Sequence, residues 1–369
     1  MKLYEYMGKE LFAEYGIPTP RGKVASSAAE AAAAAEELGE VVIKSQVLSG
    51  KRGKSGGIAF ATGSEEAEKE AGRILELEVQ GMKVEKLLVE EKLAIEQELY
   101  LAITVDNGAR CPVILASLDG GMDVEEVPEE RMIRWPLDIN TGLQPYMIRE
   151  ICRLMGVSGE MSKQMLKLLP KLYRLFRELD AELVEINPLA STPDGLVAAD
   201  AKVTIDDDAL YRHPGLPRIS EKTALELKAE ELNLAYVELG GDIAVMANGA
   251  GITMATLDMV QNFGGTPANF LDFGGGAGVE KTSQALELLL GTNPKAILIN
   301  IFGGITRCDV VADAFVKVKE QGFIDVPVSF RLVGTNETEG RAILEKIGIS
   351  AYETMSDAVK HAVELAREA

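Results

Sequence analysis

Glu185 and Asn187 stand two residues apart in the run Ala181-Glu182-Leu183-Val184-Glu185-Ile186-Asn187-Pro188-Leu189, and Val184 and Ile186 alternate with them. That period of two predicts a strand with Glu185 and Asn187 on one face. Thr192-Pro193-Asp194-Gly195 supplies turn chemistry, and the chain returns through Leu196–Lys202. Taking 192–195 as a four-residue loop sets Asn187 opposite Asp200. A carboxylate beside an amide oxygen, with Glu185 two residues along, makes an all-oxygen set. Such a set suits Mg2+, which takes one or two carboxylates and fills its octahedron with water and substrate phosphates. The same spacing also describes an amphipathic hairpin with a wet polar face.

A second set of chemistry-bearing residues lies near the N-terminus. Lys44 interrupts the β-branched strand Val41-Val42-Ile43, and the loop Gly50-Lys51-Arg52-Gly53-Lys54-Ser55-Gly56-Gly57 follows. The loop does not match the Walker A pattern. Its glycines allow close backbone approach, and Lys51, Arg52 and Lys54 bring positive charge, so it is a candidate phosphate cover. The alternative is a solvated surface loop. The cluster stands out because the 369-residue chain carries a formal net charge of −20. That balance excludes general binding to nucleic acid or to an anionic membrane surface.

These residues need elements to hold them. A short helix over 4–16 ends at Gly16, and Ser27-x-x-Glu30 reads as a capping box opening an Ala-rich helix closed at Gly39. Helix 64–78, a strand over 87–90 and a hairpin through Asn107-Gly108 follow. Helices near 146–155 and 158–179 lead into the acidic hairpin, and the charge-rich helix 220–233 reads as a link to a second domain. The length calls for two or three domains. Cys111, Cys152 and Cys308 form neither a disulfide framework nor a metal knuckle, which fits a reducing, cytoplasmic setting. The N-terminus lacks a signal-peptide core, and no run of 18 apolar residues occurs.

From about residue 239 the pattern becomes strand, loop, helix, five times over: 242–248, 268–272, 296–301, 328–333 and 349–352 are the strands, and glycines follow the first four. This predicts a doubly wound parallel sheet with its ligand crevice at the carboxyl ends of the strands. Gly303 and Gly304 precede a helix whose first-turn N–H groups form a candidate anion site. Cys308 near that terminus is either a thiol of lowered pKa or a small packing group. Gly249-x-Gly251-x-x-x-Ala255, with Asp272 ending the next strand, partly fits a dinucleotide fingerprint, so a nicotinamide-dependent dehydrogenase is the competing class. The competing class leaves the Glu185/Asn187/Asp200 hairpin unexplained.

Six motifs in order resemble the β subunit of succinyl-CoA synthetase, ADP-forming or GDP-forming, over nearly the whole chain. They are LYEYMGKELFAEYGIPTP, KSQVLSGKRGKSGG, VEINPL, MANGAGITMATLD, PANFLDFGGGA and NIFGGITRCD. The resemblance implies an N-terminal ATP-grasp fold over 1–235 and a flavodoxin-like CoA-ligase domain over 236–369. By it, Lys44, Lys51, Arg52, Gly53, Glu90 and Glu98 would bind ATP or ADP: Lys44 at the phosphates, Glu90 near the base, Glu98 near the ribose. Lys51 departs from the glycine that many members carry. Asn187 and Asp200 would hold Mg2+, and Glu185 would meet a phosphohistidine at the nucleotide site. Asn248 and Gly304-Ile305-Thr306 would form the substrate and phosphate site. Neither His213 nor His361 lies in a glycine-bounded loop, so the phosphorylated histidine is expected on a partner α subunit, which would also carry most of the CoA site. The implied reaction is succinate + CoA + ATP ⇌ succinyl-CoA + ADP + phosphate, with malate–CoA ligase as the alternative inside the family.

Overall fold

The computed structural model describes residues 1–369 except 49–51, 53, 80, 122, 221, 276, 277 and 323. Two compact units are present, Met1–Ser220 and Glu221–Ala369. The helix Ala224–Glu231 and the strand Ala235–Glu238 are therefore built into the second unit.

In the first unit, the described strands Gly22–Ala25, Leu87–Glu91, Val41–Ser45 and Ile58–Ala61 form an antiparallel sheet in that order. Period two divides each strand between two faces. Val41, Ile43, Leu87 and Val89 join the core under helices Ala28–Leu38 and Ser64–Leu75. Lys44 and Glu90 fall on the other face, in a register that pairs Val42 with Glu90 and Lys44 with Leu88. The first helix of that core is capped by Ser27, whose side chain accepts from Glu30 N. The capping box expected there is only half formed, because the Glu30 carboxylate accepts from Ser26 N instead. A complete box, unread in the sequence, opens Ala224–Glu231 through Thr223 and Glu226.

The second sheet of this unit runs Gly195–Ala198, Ala181–Thr192, Gln97–Asp106, Cys111–Ser117, Ile133–Pro136, and Lys202–Ile205 also pairs with the long strand. Val184 and Ile186 face a core built with helices Pro145–Met155 and Gly159–Glu178, which leaves Glu185 and Asn187 on the opposite face. The turn after the long strand is tighter than the four residues expected. Thr192 pairs with Gly195 and its hydroxyl donates to Gly195 O at 2.8 Å, so only Pro193 and Asp194 turn the chain. The register is nonetheless the expected one. Leu189 pairs with Ala198 and Glu185 with Lys202, which brackets Asn187 and Asp200 as opposite neighbours.

The second unit holds a sheet in the order Ala235–Glu238, Asn269–Asp272, Ile243–Ala247, Ala296–Gly303, Val328–Gly334, Ala351–Tyr352. The last five are the expected parallel strands. Their doubly wound order is flanked by an antiparallel edge strand, Ala235–Glu238, that the strand-and-glycine pattern did not announce. Apolar side chains pack both faces, with Phe315 and Phe330 edge to face at 4.8 Å between centroids.

Helix Glu337–Glu345 approaches Cys308 through Gly340, where a Cβ would lie 2.8 Å from the Cys308 carbonyl carbon and oxygen. Backbone cannot yield as a flexible side chain does. Gly340→Ala is expected to destabilise the second unit by about 1–3 kcal/mol, the usual cost of overpacking. Equilibrium urea denaturation checks this, and an unchanged midpoint would show that the helices are free to separate.

Candidate active site

In the first unit the faces bearing Lys44 and Glu185 line one cleft of about 880 Å³. Its walls carry apolar Val42, Ile58, Phe60 and Ile95, and its polar lining includes Lys44, Arg52, Glu90, Glu98, Glu185, Asn187 and Asp200. Seven of the nine nucleotide, metal and catalytic candidates read from the sequence thus meet here, and Lys51 and Gly53 lie outside the described residues.

The floor of the cleft is ionic. Lys44 Nζ donates to Glu5 Oε1 at 2.8 Å and to Ala199 O at 2.6 Å, and Glu90 Oε2 lies 2.9 Å away. Arg52 donates to Glu5 Oε2 at 2.6 Å and to both oxygens of Asp200 at 3.0 and 2.8 Å. Behind them Lys9 Nζ donates to Glu90 at 2.5 and 2.6 Å, to Ala199 O at 2.8 Å, and lies 2.9 Å from Glu5. Burial works against the charges of Glu5, Lys9, Lys44 and Arg52. It would raise the Glu5 carboxyl, yet Arg52, Lys44 and Lys9 hold it well below the usual carboxylate range. It pulls Lys9 down, whereas Glu5, Glu90 and Asp200 hold Lys44 above the usual lysine range.

Glu5 and Lys9 went unread in the sequence. One signal was present: they sit four apart on the helix Glu5–Glu14, on the stripe that buries Gly8 and Phe12. A charged pair on an apolar stripe marks buried ionic chemistry.

Glu185 is placed apart from that floor. Among the described residues its ion-pair partner is Lys202, with Nζ at 3.7 Å from Oε2. Burial raises its carboxyl, Lys202 opposes that and nearby Asp200 reinforces it. Asn187 Oδ1 accepts from Gly121 N at 2.8 Å, while the Glu98 carboxylate lies over Gly121. Gly120 sits against Leu99 so closely that a Cβ would lie 2.4 Å from its backbone, which explains the glycine pair. Among the described residues no group of three or more His, Cys, Asp or Glu could hold a metal. The hard oxygens of Asn187 and Asp200 fit a cation that takes its remaining ligands from water and phosphate. Of the loop cations, Lys54 is engaged with Asp123 at 2.6 Å and Glu126 at 3.3 Å.

The second unit gathers its candidates at the carboxyl ends of its strands. Asn248 follows Ile243–Ala247 and clamps the backbone of the neighbouring strand: Nδ2 donates to Phe302 O at 3.1 Å and Oδ1 accepts from Phe302 N at 3.0 Å. Gly304 opens to space, Ile305 is 80% exposed and Thr306 is buried. The helix after them starts at Cys308, with Arg307 as its cap. Its first-turn donors are less free than expected, since Cys308 N donates to Thr335 O at 2.9 Å and Val310 N to the Asp309 carboxylate. Cys308 is a packing residue: it is fully buried, and burial pushes its thiol up to about 11. The acidic residue of the competing dinucleotide fingerprint, Asp272, accepts from Gly249 N at 2.7 Å and Gly274 N at 2.8 Å. It braces two loops, which accounts for the fingerprint without a dinucleotide.

The histidines are held structurally. His213 Nε2 lies 2.8 Å from Asp180 Oδ2, and His361 packs against Tyr352 at 5.2 Å between ring centroids.

An antiparallel two-sheet nucleotide-type cleft followed by a doubly wound glycine-loop sheet defines the class of ATP-grasp ligases with an attached CoA-ligase domain. The family model of the ATP-grasp domain matches residues 2–191, and that of CoA-ligase matches 246–365. "Succinate--CoA ligase [ADP-forming] subunit beta" of Staphylothermus marinus is 46% identical over 378 aligned positions, covering 100% of this chain and 99% of the relative. The subunit so named from Rubrobacter xylanophilus is 46% identical over 100% of this chain and 99% of its own, and that of Methanothermobacter thermautotrophicus 44% over 100% of both. The chain belongs to the family of ADP-forming succinate–CoA ligase β subunits. Its fold is shared with the structure of ATP citrate lyase from Methanothrix soehngenii in complex with citrate and coenzyme A, at TM-score 0.75 and 21% identity over 98% of this chain and 99% of that one. No helix among the described residues is long and apolar enough to cross a membrane.

The helix terminus beside Thr306 carries a pH signature. Hydrogen bonds from Arg307 and then Asn336 lower the Asp309 carboxyl to about 2. A depressed carboxyl contributes stability above its unfolded pKa, and that contribution is lost as pH falls through the folded value. Asp309→Asn is therefore expected to be less stable than wild type at pH 7, with the gap closing between about pH 4 and pH 2. Thermal melts across that range check it, and a pH-independent gap would assign the loss to packing.

Proposed function

We propose that this chain is the nucleotide-binding subunit of an enzyme that catalyses succinate + CoA + ATP ⇌ succinyl-CoA + ADP + phosphate. The observation that carries the reading is the meeting, in one cleft, of phosphate-type cations Lys44 and Arg52, the oxygen pair Asn187 and Asp200, and the desolvated acid Glu185. Two buried cations beside a glycine loop suit a polyphosphate. The apolar strip Val42, Ile58, Phe60 and Ile95 suits a base, with Glu98 for ribose hydroxyls. Asn187 and Asp200 would hold Mg2+, which when bound would offset charge on the phosphoryl groups.

Glu185 has a separate part in this reading. A carboxylate on the far side of the oxygen pair can accept an imidazole N–H and hold the ring in line for phosphoryl transfer. Both histidines of this chain are engaged in structural contacts. The transferred phosphoryl group would therefore travel on a histidine of an α subunit, which would also hold most of CoA. In the second unit, Asn248 and Gly304-Ile305-Thr306 would receive phosphate and the acyl substrate, with the exposed Gly304 backbone allowing close approach.

Incubation with γ-labelled ATP and Mg2+ tests the division of labour. Label is expected on the partner's histidine when both chains are present, and acid-labile label on His213 or His361 of this chain would overturn the two-chain reading. Within the cleft, Asp200→Asn is expected to weaken Mg-nucleotide binding by about tenfold or more, because a hard cation loses a charged ligand. Glu185→Gln is expected to keep nucleotide affinity within a few-fold and slow histidine phosphorylation by about 100-fold. Calorimetry and single-turnover labelling separate the two, and equal loss of affinity in both variants would make Glu185 a metal ligand. Assaying succinate against malate, and ATP against GTP, with the co-purified partner tests the substrates.

A further inference from the structure

Of the six charged groups in the floor of the cleft, Glu5, Lys44, Arg52, Glu90 and Asp200 line it. Lys9, 6% exposed, lies behind them, with its ammonium on Glu5, Glu90 and the Ala199 carbonyl. The described set is balanced, three cations against three carboxylates, as long as Lys44 and Arg52 stay on Glu5, Glu90 and Asp200. Binding a nucleotide disturbs that balance. If Lys44 and Arg52 turn to phosphates and Asp200 to a cation, Glu5 and Glu90 remain buried and, of the described floor cations, keep Lys9 alone. An unanswered buried carboxylate is strongly disfavoured.

We propose that Lys9 is the positioning residue that makes this exchange possible: it neutralises Glu5 and Glu90 from behind, so that Lys44 and Arg52 are released to the nucleotide. The inference rests on the nucleotide reading of the cleft. Three features favour it. Lys9 touches both acids that Lys44 would leave. Ala199 O accepts from both lysines, so it stays satisfied when one departs. Helix Glu5–Glu14 sets Glu5 and Lys9 one turn apart, so the acid and its counter-ion are fixed to each other rather than to the mobile side of the exchange. Without Lys9 the two acids would grip Lys44 and Arg52 harder, and nucleotide affinity would fall although no nucleotide contact was removed.

The full chain is titrated with MgADP by isothermal calorimetry as wild type, Lys44→Met, Lys9→Met, Glu5→Gln and Lys9→Met/Glu5→Gln. Lys44→Met and Lys9→Met are each expected to weaken MgADP by about tenfold or more, the scale of one charge-assisted contact. Removing the surplus acid is expected to rescue the loss, so that Lys9→Met/Glu5→Gln binds within about threefold of Glu5→Gln, as coupling between neighbours requires. A packing defect would show no such rescue, and failure of rescue overturns the proposal. Wild-type affinity in Lys9→Met with loss in Lys44→Met overturns it while leaving the nucleotide reading intact. Retained affinity in Lys44→Met overturns the nucleotide reading and this inference with it. Should Lys9→Met not fold, the pair Glu5→Gln and Lys9→Met/Glu5→Gln decides: a tenfold difference between them overturns the proposal.

Discussion

The first unit depends on the rule that a charge taken out of water must be answered. Glu5, Lys9, Lys44, Arg52, Glu90 and Asp200 satisfy one another, with the Ala199 carbonyl closing two of the remaining donors. Such a cluster is weak evidence for net stability, since desolvation consumes most of the attraction. Its effect is specificity. The N-terminal helix, two strands of one sheet and the return of the acidic hairpin must all be in register for it to close. Removal of one member from a buried pair typically costs about 3–5 kcal/mol, so misalignment is heavily disfavoured. The same cluster presents Lys44, Arg52 and Asp200 to the cleft, so the constraint that pins the fold also arms the site.

The second unit positions its groups through the backbone. Asn248 grips both the N–H and C=O of Phe302, and Asp272 holds Gly249 and Gly274. These clamps fix the loops at the carboxyl ends of the strands and leave Gly304 and Ile305 open to approach. One unit thus offers charge and the other offers shaped, neutral backbone. That contrast fits chemistry in which a polyphosphate meets the first and a smaller anion with an acyl group meets the second.

Much of this was legible in the sequence. Alternation at Val184–Asn187 and a Pro-Asp turn were enough to set Asn187 against Asp200, because a hairpin register follows from local geometry. The five strand–loop–helix units gave the parallel sheet because a crossover helix returns the chain to start the next strand in the same direction. Where the reading fell short, the cause was competition among local partners. Ser26 N took the Glu30 carboxylate from Ser27, Thr192 and Gly195 extended the ladder into the turn, and Thr335 O took a helix donor near the glycine loop. The edge strand Ala235–Glu238 is followed by Leu239-Gly240-Gly241 and then directly by the strand Ile243–Ala247, so it lacks the crossover helix of the other units and pairs antiparallel with Asn269–Asp272.

What the sequence determined by itself was the set of elements, the face each side chain takes and the motifs that name the family, since these depend on spacing along the chain. The tertiary structure alone decided which faces meet. Lys9 reaches Glu90 across 81 residues and Ala199 across 190, and Arg52 reaches Asp200 across 148. No periodicity spans such separations, so a lysine on a helix stripe reads as an anomaly until the strands that hold its acids close over it. Burial then turns an ordinary surface residue type into the counter-ion of a site.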